Sequence, residues 1–145
     1  MHLLGISKIH LENKKQLKIQ KGIRQAEDKL VTDIQTALED TTSYGDLEES
    51  QFRNLVRVAD TTESTAVIKN FLLYQVGRDK KWGRGQNSLA QKIIHDIDRN
   101  IKATAQDIAR SAQAEDFFNQ IWIELTRRYL GYGARYLVYM NKGQS

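Results

Sequence analysis

The stretch from Ser88 to Ala112, which reads SLAQKIIHDIDRNIKATAQDIARSA, decides the fold. Its apolar side chains recur at steps of three or four residues, namely Ala90, Ile94, Ile97, Ile101, Ala105, Ile108 and Ala112. This spacing places one apolar stripe along one side of an α-helix. Asn87 or Ser88 is suited to cap the first turn. The stretch therefore predicts a long amphipathic helix whose stripe packs against other helices.

Patterns of the same period lie on both sides of this stretch. They predict helices over residues 12–40, around 52–59, over about 61–76 and from Phe118 to Tyr139. Apolar residues cover most of the circumference of the 61–76 segment, so we expect that helix at the centre. Gly131 and Gly133 lie inside a heptad-like seam that stays in phase. We therefore expect one continuous last helix, with a close contact at Gly131.

No segment shows the alternating pattern of a β-strand. The sequence therefore predicts an all-α fold, a single-domain bundle of about five helices over residues 1–145. Residues 1–10 are expected to form a mobile N-terminus. The absence of proline supports long, uninterrupted helices, because proline breaks helix interiors.

Composition and charge restrict the classes of function. The chain of 145 residues has no cysteine, which excludes a disulfide framework and thiolate metal sites. It has no run of about 20 apolar residues, the length that a membrane span needs, so we expect a cytoplasmic protein without membrane contact. The net charge of +4 is uneven: residues 1–29 carry +4, residues 30–63 carry −6 and residues 64–145 carry +6. Such a chain suits a subunit that offers one face to a polyanion and another to a basic neighbour.

The loop between the third and fourth helical patterns has the composition of a nucleic-acid-binding surface. Residues 75–87 read QVGRDKKWGRGQN, and Trp82 stands there among four cations, Arg78, Lys80, Lys81 and Arg84. Basic side chains neutralise phosphates, and an exposed aromatic ring stacks on bases. Trp82 has two interpretations: it closes the end of the bundle, or it stacks on a base or a partner.

Arg128 and Arg135 form a second candidate surface. They are seven residues apart, so they share one face of the predicted helix, with Gly131 between them. Two guanidinium groups on a flat face suit a phosphate backbone. The same face suits helix packing, with an ion pair between Glu124 and Arg128. Both interpretations stay open.

No catalytic or metal-binding motif accompanies the basic residues. His95, Asp96 and Asp98 carry metal-ligating groups, but a site needs several converging ligands, and helical phase turns His95 and Asp98 toward solvent. The segment 83–85 lacks the Lys and Ser/Thr of a phosphate-binding loop. We expect no enzymatic activity, no metal, no cofactor and no small-molecule substrate.

The stretches TAVIKNFLLYQVGR (65–78), DKKW (79–82) and LTRRYLGYGARYL (125–137) resemble the small subunit of type III CRISPR effector complexes. The likeness covers about residues 50–140 and lies in helix order, size and basic-aromatic character. It implies a non-catalytic subunit in antiviral defence that stacks head to tail with copies of itself and contacts other effector subunits. It implies binding to the backbone of a guide RNA–target duplex through Arg78, Lys80, Lys81 and Arg84, with Arg128 and Arg135 second. The long N-terminal helix and the acidic segment 46–49 have no obvious counterpart in that family.

The predicted function is thus that of a structural subunit of a ribonucleoprotein that binds the RNA or DNA backbone rather than a base sequence. Two alternatives stay open. One is a protein–protein adaptor of a phage or mobile element. The other is a small helix-turn-helix regulator with the 88–112 helix as reader, although few base-reading residues cluster at the start of that helix.

Overall fold

The computed structural model describes the backbone of residues 2–143 and the side chains of residues 8–143. Its α-helices are α1 (His2–Glu39), α2 (Glu49–Thr61), α3 (Thr65–Arg78), α4 (Leu89–Asp96), α5 (Lys102–Ser111) and α6 (Phe118–Val138). Within these described residues there is no β-strand, and no helix is long and apolar enough to cross a membrane. The prediction of an all-α helical bundle is confirmed.

α4 and α5 form one continuous helix, as the apolar stripe predicted. A π-helical segment, Ile97–Ile101, joins them. At its first residue, the indole N–H of Trp122 on α6 donates a hydrogen bond to the carbonyl oxygen of Ile97 at 2.8 Å. A side chain that bonds to a helix carbonyl disturbs the local hydrogen-bond ladder, which accounts for the wider turn. With α4 and α5 counted as one, the described bundle has the five helices that were predicted.

α6 lies at the centre of the bundle, where it contacts α1, α2 and α5. The prediction that α3 is central is wrong. α3 buries only one side, formed by Thr65, Ile68, Leu72 and Gln75, and lies at the edge of the bundle against α2 and α4. Apolar residues around most of a helix permit burial on all sides, but they do not determine how many neighbours it has. In this bundle the neighbours of α3 cover one side only.

The close contact on α6 is at Gly133, not at Gly131. The helix is continuous across both glycines, as predicted. A Cβ atom at Gly133 would lie 2.6 Å from Cζ of Phe52 and 2.7 Å from Cγ1 of Ile34, whereas one at Gly131 would have nothing within 4 Å. The predicted seam is buried at Leu125 and Tyr129, but beyond them the core of α6 follows Gly133 and Leu137, while Tyr139 is exposed.

α1 extends past the rest of the bundle toward its N-terminal end. Its first buried side chain among those described is Ile19, and residues 8–18 are exposed apart from half-buried Lys15. At a rise of about 1.5 Å per residue, this exposed part is about 16 Å long. The helix begins at His2, while Met1 and the side chains of residues 1–7 lie outside the described residues. The mobility expected of residues 1–10 stays a prediction.

Candidate nucleic-acid interface

Trp82 lies inside the bundle rather than on its surface. Its side chain is 0 % exposed, and its ring centroid lies 5.5 Å from that of Phe52 on α2. A ring without exposed surface cannot stack on a base, so the assignment of Trp82 to a nucleic-acid site is wrong. The other interpretation is correct: Trp82 closes the end of the bundle. The sequence suggests an exposed ring because the neighbours of Trp82 along the chain are polar, whereas the ring that contacts it, Phe52, belongs to a distant segment.

Backbone contacts hold the loop around Trp82 against the segment that follows α1 and against the first turn of α4. The N–H of Gly45 donates to the carbonyl of Lys81 at 3.0 Å, and the N–H of Ala90 donates to the carbonyl of Trp82 at 3.1 Å. Gly83 has a φ of +80°, and a Cβ atom there would collide with the carbonyl oxygen of Ser43. Glycine is therefore required at position 83 by backbone conformation and by close packing.

The acidic segment 46–49 neutralises part of the predicted site. Nζ of Lys81 lies 2.6 Å from Oε1 of Glu48, and that hydrogen bond raises the pKa of the lysine. The backbone N–H of Lys81 also donates to the carboxylate of Asp79 at 2.9 Å. Lys81 is thus engaged within its own chain, and its assignment as a free phosphate contact is not supported by this geometry.

The other three loop cations are exposed. The guanidinium carbon of Arg78 lies 5.6 Å from the centroid of the Tyr74 ring. Lys80 and Arg84 are exposed as well. None of the three forms an ion pair with an acid among the described side chains. These three cations remain accessible to a polyanion.

Arg128 and Arg135 do not act as a pair. Nη1 of Arg128 lies 2.7 Å from Glu27 on α1, and its Nε lies 3.0 Å from Glu124. The helix-packing interpretation therefore applies to Arg128, which joins α6 to α1. Arg135 is exposed and, within residues 8–143, has no acidic partner. It remains accessible, but without the second guanidinium that the predicted surface needs.

A larger basic surface lies on α1, and the sequence analysis did not identify it. We name residues 8–24 the basic arm, which carries one acid, Glu12, against six cations. The cations are Lys8, Lys14, Lys15, Lys18, Lys21 and Arg24, all exposed except half-buried Lys15. None forms an ion pair with an acid of the described chain. The positive charge of the basic arm is therefore not offset by ion pairs with the rest of the described chain.

Three of these lysines form a row along the outer side of α1. Lys14, Lys18 and Lys21 are spaced by four and three residues, which places them on one face of a helix. Ile19 and Ile23 are buried on another side of the helix, so the row is exposed, with Lys18 and Lys21 at the edge of the groove between α1 and α5. At about 1.5 Å per residue, the row is about 10 Å long, enough to meet two or three successive phosphates of one strand.

The signal for the basic arm was present in the sequence. Residues 1–29 carry a net charge of +4, and the four-three spacing of the lysines matches a helical face. The sequence favours the loop at 78–84 instead, because that loop combines charge with an aromatic ring. The structure separates those two features, since the ring is buried and one loop cation is paired.

The carboxylates near His95 contact neighbouring helices. The hydroxyl of Tyr129 donates to the carboxylate of Asp96 at 2.6 Å, and burial raises the pKa of both groups. Asp98 pairs with Lys69 of α3 at 2.6 Å, while His95 faces solvent. Among the described residues, no group of three His, Cys, Asp or Glu side chains is placed to hold a metal ion.

Comparison with known proteins adds no relative to this description. The chain matches no protein-family model, no curated protein and no solved structure. The ligand of the basic surfaces is therefore inferred from their residues, exposure and charge.

Proposed function

We propose that this chain is a cytoplasmic, non-catalytic subunit that binds the sugar–phosphate backbone of nucleic acid. The basic arm is the main contact, and Arg78, Lys80 and Arg84 are the second. The single observation that carries the proposal is the set of exposed arm cations without acidic partners. Each cation that meets a phosphate releases condensed counterions, which favours binding and makes it sensitive to salt.

The chemistry of the arm favours the backbone over the bases. A lysine ammonium is a compact point charge that meets phosphate in any sequence context. Phosphate contacts position a protein on nucleic acid but carry no sequence information. Residues 8–24 contain no Phe, Tyr or Trp, and Trp82 is buried. We therefore expect binding that tolerates changes of base sequence.

The resemblance to the small subunit of type III CRISPR effector complexes supplies a candidate ligand. We propose on that basis that the ligand is a guide RNA–target duplex, held together with other effector subunits in antiviral defence. A helix that projects from the bundle with a row of unpaired lysines supports this proposal, because a duplex offers phosphates along its whole length.

A set of charge-matched variants tests the proposed interface, and each variant replaces three exposed cations by glutamine. The arm variant changes Lys14, Lys18 and Lys21. The loop variant changes Arg78, Lys80 and Arg84. The control variant changes Arg53, Arg57 and Arg99, which are exposed elsewhere on the described surface. Because all three lose the same net charge, differences between them report position alone.

Affinity is measured by fluorescence anisotropy with labelled single-stranded RNA and with an RNA–DNA duplex, at one salt concentration. We expect the arm variant to lose the most affinity for both ligands and for every base sequence, the loop variant less, and the control least. Equal losses in the arm and control variants would show that only net charge matters, and the proposed interface would then be wrong. Cleavage of the ligand by the wild-type protein would contradict a non-catalytic role.

A further inference from the structure

α3 turns an apolar face to solvent. The side chains of Val67, Leu73 and Tyr74 are 47 %, 50 % and 59 % exposed. The side of a surface helix that points away from the core is normally polar. A Cβ atom at Gly77, on the same face, would have nothing within 4 Å, so a neighbouring helix can approach closely. Val67 and Tyr74 are seven residues apart and therefore lie side by side, while Leu73 lies across Asn70 on the same exposed side. Exposed apolar side chains grouped in this way favour a contact with another protein surface.

The two ends of this face carry opposite charges. Exposed Glu63 stands immediately before the helix cap at its N-terminal end, and its side chain is 78 % exposed although one oxygen lies 3.3 Å from Arg127. Exposed Arg78 forms the last turn at the other end. The only other cation on α3, Lys69, pairs with Asp98 toward the bundle. The apolar face is thus bounded by an acid at one end and a base at the other.

We propose that this face binds the same face of a second copy of the chain, with the two α3 helices antiparallel around a two-fold axis near Asn70. A two-fold contact must be self-complementary. The antiparallel arrangement meets that condition, because Arg78 of each copy approaches Glu63 of the other. A parallel arrangement would bring like charges together. In the antiparallel pair, Val67 lies opposite Tyr74 of the second copy.

The size of the face predicts a weak dimer. α3 has 14 residues, so it is about 21 Å long. One helix pair of that length buries less than the roughly 800 Å² per partner of a standard stable interface. The contact is therefore expected to be concentration-dependent. The proposed dimer does not involve the basic arm, which belongs to another helix. It also differs from head-to-tail stacking, because a two-fold contact joins two copies and leaves no equivalent site for a third.

Single cysteines test the arrangement directly, because the chain has none of its own. Asn70→Cys, next to the proposed axis, should form a disulfide-linked dimer under mild oxidation at least tenfold faster than Gln106→Cys, an exposed control on α5. A mixture of Val67→Cys and Tyr74→Cys should cross-link faster than either variant alone, since those positions lie opposite each other. Faster cross-linking of Val67→Cys alone would indicate a parallel pair and overturn the proposal.

Sedimentation over a series of concentrations provides the second readout. The wild-type mass should rise from 16.7 kDa toward twice that value, and Leu73→Asp should abolish the rise while the thermal melt shows an intact fold. Arg78→Glu and Glu63→Arg should each weaken association about tenfold, and the double variant should restore it. The proposal is wrong if the wild type stays monomeric throughout, or if Asn70→Cys cross-links no faster than Gln106→Cys. Nucleic-acid binding is not measured in either assay, so the two proposals fail separately.

Discussion

Replacing each of two glycines on α6 by alanine should change stability in opposite directions. Gly131 and Gly133 lie two residues apart in the same helix, so alanine gains the same helix propensity at both, about 0.8–1.0 kcal/mol. At Gly131 the new methyl group meets nothing within 4 Å, and the gain is unopposed. At Gly133 it lies 2.6 Å from Cζ of Phe52 and 2.7 Å from Cγ1 of Ile34. Overpacking of this kind costs about 1–3 kcal/mol.

We therefore expect Gly131→Ala to stabilise the fold by up to about 1 kcal/mol, and Gly133→Ala to destabilise it by up to about 2 kcal/mol. Urea unfolding followed by circular dichroism measures both, and each kcal/mol corresponds to about 2–4 °C in the melting temperature of a domain near this size. Phe52→Leu should relieve part of the cost at Gly133 in a double-mutant cycle. Equal stabilisation by both alanines would refute the packing of α6 against Phe52 and Ile34.

Three further changes test the core and its titration. Ile97→Ala, at a fully buried position, should cost about 2–5 kcal/mol in urea unfolding, and a loss below about 0.5 kcal/mol, as at surface sites, would contradict that burial. Trp82→Ala should lower the free energy of unfolding by about 3–5 kcal/mol. At a temperature where the variant is folded, its RNA affinity should equal that of the wild type, and a selective loss of affinity would show that the ring contacts RNA. Burial raises the pKa of Asp96 above 3.8 in the folded state, so the stability that this group contributes is complete below that pH and is lost as pH rises through the folded pKa. The stability of wild type relative to Asp96→Asn should therefore fall as pH rises above 3.8, and a constant difference would show that burial does not raise the pKa of Asp96.

Local periodicity was sufficient to predict the helices. The stripe from Ala90 to Ala112 predicted the α4–α5 helix, and the seam through Leu125 and Tyr129 predicted a continuous α6. Both patterns depend only on the spacing between apolar residues three and four positions apart, and this spacing can be read from the sequence itself. The π-helical segment was not predictable in this way. It coincides with a bond from Trp122, 25 residues from Ile97 along the chain.

The candidate site was only partly predictable, because its accessibility is decided by contacts between distant segments. Glu48 pairs with Lys81 across 33 residues, and Glu27 pairs with Arg128 across 101 residues. No pattern of local spacing reveals such partners. The basic arm is different: its charge and spacing are local. Comparing the charge of successive turns of the predicted 12–40 helix would have identified it, because residues 13–24 carry five cations and no acid.

The salt dependence of RNA binding tests the role of the basic arm most directly. For single strands, each phosphate contact contributes about −0.7 to the slope of log affinity against log salt concentration. The arm variant, which lacks the charges of Lys14, Lys18 and Lys21, should therefore have a slope about 2 units shallower than that of the wild type. The control variant should keep the wild-type slope. A wild-type slope in the arm variant, or no measurable binding by the wild-type protein at low salt, would contradict backbone recognition by this helix.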